Sequence, residues 1–205
     1  MVVVVLVGIT WRADPIGDST AMPTAAVADT HDPVEKVHPP APCAHPGPHD
    51  PVQGIAWDEI ARLHSINLPV CDVIWSFGSL PDSLWGVTYA DVGDELGRPL
   101  VVIEPSPAAY GDGLEQDVRT TVRHEFGHAL TGMLGLDDTT LRAMFDAELG
   151  GVHLGEHTEH GSEAAAEAIA EALTPKGEER TWFYDRHVDQ ASVMSAQDLL
   201  ASFVD

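Results

Sequence analysis

Positive charge is what this chain lacks most. Its 205 residues carry ten lysines and arginines against 33 aspartates and glutamates, a formal net charge of −23. So acidic a surface repels nucleic acid and anionic lipid and excludes both as expected partners. Solubility or tolerance of high salt is its plainest use. Cysteine is nearly absent. Cys43 and Cys71 have no C-x-x-C spacing, so neither a cysteine zinc site nor a redox dithiol is expected. They read either as one disulfide of an exported protein or as two free thiols. Long apolar runs are missing as well. The run from Val2 to Ile9 falls far short of the ~20 residues of a membrane-spanning helix. Its first positive side chain, Arg12, follows the run rather than preceding it, unlike a signal peptide. A signal or anchor that begins upstream of this sequence fits the run, and so does a β-strand, since consecutive valines favour extended backbone. The expectation is an extracellular or membrane-tethered protein, touching membrane only through such an anchor; a cytoplasmic location is the alternative.

What is present falls into three segments. Residues 1–12 are the apolar N-terminal stretch. Residues 13–52 are rich in proline, alanine, histidine and aspartate with no apolar period, which predicts an extended, disordered linker. Its His31, His38, His45 and His49 read as linker residues, because a flexible tract gives up ordering entropy to hold a site. Residues 53–205 form the expected folded domain. GIAWDEIARLHSINL predicts an amphipathic helix. Three strands are predicted at 70–77, 85–92 and 99–105, each rich in β-branched or aromatic residues and bounded by turn signals. Helices follow at 114–134, ended by Gly135, and at about 138–149. Ser162 is expected to cap EAAAEAIAEAL, and Ser195 with Asp198 to open the last helix. Strands first and helices afterwards predict an α+β fold, with a small N-terminal mixed or antiparallel sheet and a mostly helical C-terminal half.

The chemistry lies in HEFGHAL, residues 124–130. His124 and His128 project from one helix face one turn apart and reach a single Zn2+, while Glu125 stands beside them as a base rather than a ligand. Val118, Val122, Ala129, Leu130, Met133 and Leu134 make this helix apolar enough to be buried. Gly127 weakens a helix by about 1 kcal/mol relative to alanine, which makes sense where another segment approaches closely. A third histidine six residues beyond His128 would complete one zinc pattern, but Leu134 stands there. The other common solution is a carboxylate from a later helix, and Glu163, Glu167 and Glu171 lie on one stripe of SEAAAEAIAEAL.

HEFGHAL followed by AEAIAEAL resembles the zincin peptidases of gluzincin type, in the branch that contains the anthrax lethal factor. The likeness covers two helices, roughly 114–134 and 160–173. It implies a zincin-like fold and a zinc-dependent endopeptidase acting on a protein or peptide substrate, with Glu125 as general base to a zinc-activated water. Aligned on Ala166–Leu173, it makes Glu167 the third ligand and Glu171 the partner that orients a histidine. A register shifted by one turn makes Glu163 the ligand. Glu167 is preferred, since Glu163, directly after Ser162, already complements the helix dipole. The family's tyrosine that faces the substrate carbonyl is replaced here by His160, the expected oxyanion stabiliser; Tyr184 or His187 is the alternative. Loss of that tyrosine keeps a second reading open, a weakly active or inactive zincin-fold binding or toxin-like accessory module. A third is a structural zinc site closed by His153, His157 or His160.

Overall fold

The computed structural model describes residues 50–81, 84–90, 97–145, 161–183 and 187–203. Five helices and a three-stranded sheet make a mixed α+β, mostly helical fold. Helix α1 spans Pro51–Ser65 and starts three residues before the predicted one. The Asp50 carboxylate accepts from Gln53 N–H at 2.9 Å, and Pro51 fills the first turn, where a missing N–H does no harm. The residues assigned to the end of the linker are therefore the helix cap.

Strand β1 is Ile74–Phe77, β2 Gly86–Tyr89 and β3 Leu100–Ile103, each shorter than predicted. Val70–Asp72, expected to begin the first strand, closes instead as a 3-10 turn behind Pro69. The sheet order is β1-β3-β2, with β1 parallel to β3 and β2 antiparallel to it. β2 is thus an edge strand among the described residues.

Helix α2, Leu114–Met133, packs on β2 and β3 and also against α1 and α4. It ends as predicted. Gly135 sits at φ 64, and Leu136 N–H returns to the Thr131 carbonyl at 3.1 Å. Helix α3 is Asp138–Met144, α4 is Gly161–Leu173 and α5 is Gln190–Ala201. The start of α5 corrects the predicted capping box. Ser195 lies inside the helix, and the cap is Asp189, whose carboxylate accepts from Ser192 N–H at 2.7 Å. Val122, Phe126, Ala165 and Ile169 are fully buried in one core shared by α2 and α4. No helix of the described residues is long and apolar enough to cross a membrane. Cys71 is disulfide-bonded, and Cys43 lies outside the described residues.

Candidate metal centre

The site starts from a missing side chain. A Cβ on Gly127 would meet the Ala166 Cα at 2.8 Å and its carbonyl oxygen at 3.2 Å, so only glycine lets α4 lie this close to α2. Around that contact α4 is alanine at 164, 165, 166, 168 and 170, all buried. Two helices at so short a separation bring their polar side chains into one small space.

Three nitrogen and oxygen atoms converge there. His124 Nε2 and His128 Nε2 are 3.1 Å apart. Glu163 Oε2 is 3.3 Å from the first and 3.4 Å from the second. A tetrahedral zinc with ligand bonds of ~2.0–2.1 Å separates its donors by about 3.3–3.4 Å, so the three atoms already stand near the corners of one coordination face. Side-chain exposure is 1% for His124, 11% for His128 and 0% for Glu163. The slightly greater access at His128 gives the cluster one open side. The donor set suits zinc: two imidazoles and one carboxylate, with a position left over.

The electrostatics point the same way. Burial alone would push the His124 imidazole down, but hydrogen bonds to Glu163 and Glu167 outweigh it and raise its pKa to about 10. Burial would lift Glu163, yet the His128 charge and hydrogen bonds to both histidines hold it well below the ordinary carboxylate range. This pocket stabilises positive charge.

Glu167 lies one turn along α4 and reaches the opposite nitrogen. His124 Nδ1–H donates to Glu167 Oε1 at 3.0 Å, which fixes the tautomer and leaves Nε2 to face His128 and Glu163. The other Glu167 oxygen is taken by the Arg180 guanidinium, which also donates to the Glu167 backbone carbonyl at 2.9 Å. Arg180 lies 4.3 Å from the Trp182 ring centroid and 3.6 Å from Glu171. Phe183 then packs edge-on against the His124 ring at 4.8 Å. The segment after α4 is thus a strap across the back of the cluster. Glu178 bonds Arg123 at 2.6 Å, and Thr181 donates to Asp117, fastening the strap to α2.

Glu125 is apart from the ligand cluster. Its carboxylate accepts from the Thr88 hydroxyl of β2 at 2.7 Å and shares a cavity of about 170 Å³ with His128 and Glu163. Val87, Ala90, Leu136 and Leu141 give that cavity apolar walls.

The expected residues are therefore brought together, but one turn out of the preferred register. Glu163, the alternative ligand, faces both histidines; Glu167 takes the orienting place expected of Glu171; and Glu171 meets only Arg180 among these groups. The reason is the contact at Gly127, which sets how far α4 slides along α2 and cannot be read from α4 alone. The dipole argument for Glu163 does not keep it from the histidines, since a carboxylate at the helix start can also face them. His153, His157, His160 and Tyr184 lie outside the described residues, while His187 is exposed and stacks on Trp182 at 4.1 Å. Sequence reasoning missed Arg180, Phe183 and Thr88. Only the closeness of Arg180 and Phe183 to the α4 motif hinted at the strap.

No family model, curated protein or solved structure matches this chain. The site's chemistry alone carries the functional reading.

Proposed function

We propose that this protein is a zinc-dependent endopeptidase of gluzincin type, with a zincin-like fold and motif helices similar to those of the lethal factor-like peptidases. The observation that carries it is the convergence of His124 Nε2, His128 Nε2 and Glu163 Oε2 at 3.1–3.4 Å, with the Glu125 carboxylate in the same cavity but outside the donor set. His124, His128 and Glu163 hold the metal, and Glu167 holds His124. Zinc in that place supplies Lewis acidity and draws the pKa of water toward ~7. Glu125 accepts the proton as water attacks the scissile carbonyl and passes it to the leaving amine. The substrate backbone lies along the edge of β2, which borders the cavity through Val87 and Thr88, with Ala90 just beyond the strand. The apolar walls beside His128 seat a substrate side chain. The disulfide at Cys71 supports an exported, extracellular protein.

The test combines metal analysis with digestion of a peptide library read by mass spectrometry. One zinc per chain is expected, with cleavage that falls about 10²–10⁴-fold in Glu125→Gln while zinc is retained. Full zinc without cleavage by the wild type would assign the accessory module instead. A closed structural site would reveal itself if a hydroxamate failed to raise the melting temperature of the zinc-loaded protein.

A further inference from the structure

We infer that strand β2 is the template for the catalytic base, with Thr88 as its positioning residue and Gly86 as the space it needs. The inference rests on the peptidase reading above, and it concerns atoms that the resemblance does not address. Two observations on one strand carry it.

The first is the bond from Thr88. An ionised carboxylate only accepts, so the Thr88 hydroxyl is the donor to Glu125 Oε2, at 2.7 Å. The Thr88 hydroxyl oxygen also lies 3.1 Å from the Glu125 backbone carbonyl, so Thr88 touches both ends of the residue. A hydroxyl that tied the strand to the helix for stability alone would need only the backbone oxygen. This one holds the atoms assigned to proton transfer.

The second observation is at Gly86, two residues earlier and therefore on the same face of the strand. A Cβ there would lie 2.6 Å from Glu125 Cγ, 2.7 Å from Oε1 and 2.8 Å from Cδ. No left-handed backbone demands glycine at this position, so the requirement is space alone. Thr88 binds one carboxylate oxygen while Gly86 gives room to the other, and the side chain lies against β2 at the wall of the cavity. The strand itself is fixed. Gly86 pairs with Ile103 and Thr88 with Val101, and both partners are fully buried. The base is thus positioned from the sheet, and the metal ligands from the two helices. Displacement of a catalytic group by about 1 Å costs on the order of 10²-fold in rate, which sets the scale.

The experiment compares Thr88→Val, Thr88→Ser and Gly86→Ala with the wild type. Valine keeps the β-branched shape and removes the donor; serine keeps the donor. With a quenched fluorogenic peptide chosen from the library, Thr88→Val is expected to lose about 10–10²-fold in kcat with KM and zinc content unchanged. Thr88→Ser should return to within a few-fold of wild type, and Gly86→Ala should behave like the valine variant. Equal kcat in wild type and Thr88→Val overturns the inference, as does a serine variant as impaired as the valine one. If the wild type cleaves no peptide, the peptidase reading falls, and a crystal structure of zinc-loaded Thr88→Val still decides this point. A displaced or disordered Glu125 carboxylate upholds the template, and an unmoved one refutes it.

Discussion

Arg123 and His124 are buried neighbours on α2, yet they belong to two charge clusters of different character. On the Arg123 side, Glu59 of α1 accepts from Arg62, Arg119 and Arg123, and Glu115 and Glu178 complete the set. Three carboxylates meet three guanidiniums, and every charge is answered by another that the chain supplies. On the His124 side, Glu163 and Glu167 are both fully buried, and the guanidinium facing them is Arg180, which bonds Glu167. There the balance is completed by an imidazole, since Glu163 and Glu167 hold His124 protonated up to about pH 10. A cluster balanced by guanidiniums, which do not give up their protons, fastens helices, whereas one balanced by an imidazole can exchange that proton for a metal cation. The difference separates a structural staple from a site without reference to any relative.

The comparison breaks most sharply by removing one carboxylate from each side. Glu163→Ala should abolish stoichiometric zinc binding, measured by metal analysis after gel filtration, with a smaller loss in urea unfolding in chelator than Glu59→Ala shows. If that variant keeps a full zinc, the third ligand is another residue. Glu59→Ala should do the converse. It leaves buried Arg123 with only the part-exposed Glu178 as a charged partner and should lower stability by about 3 kcal/mol in urea, while the folded fraction still binds zinc. Glu167→Gln is expected to be milder. The loss of a carboxylate behind a ligating histidine weakens zinc by about 10–100-fold, readable by competition with a fluorescent chelator.

The smallest effect concerns acid. Burial would raise Glu59, but hydrogen bonds from Arg62 and Arg123 win and hold it below the ordinary value of 4.5. Its contribution is therefore present above 4.5 and lost as pH falls through its lower folded value. The stability gap between wild type and Glu59→Gln should shrink as urea titrations move from neutral pH into that acid range. A constant gap would mean that Glu59 does not act through its charge.

How much of this was legible depended on whether the information was local. The extent of α2 was readable because its apolar period, Gly135 and Leu136 all lie within the segment. The histidine pair was readable for the same reason. Which glutamate faces both histidines was not, because that depends on the slide between two helices, fixed by Gly127 against Ala166. A stripe of three glutamates offers each slide equally. Arg180 and Thr88 carry no period or motif, and only their three-dimensional neighbours mark them. Helix starts failed where a chemically good cap lay nearby, as Asp50 did beside the linker and Asp189 before Ser195.

The strap after α4 has a consequence for how the protein comes into being. His124 and Glu167 are 43 residues apart, and Arg180 follows Glu167 by another 13. A chain made from its N-terminus therefore presents two histidines on one helical turn well before the groups that complete and orient them exist. Two imidazoles on a partly formed helix are an indiscriminate trap for any transition metal, including those that bind more tightly than most. On the proposed zinc reading, selection for that metal would begin only when α4 docks and Arg180 locks Glu167 behind His124. Metal identity would, on that reading, be a product of the order in which the chain is completed as well as of its final geometry.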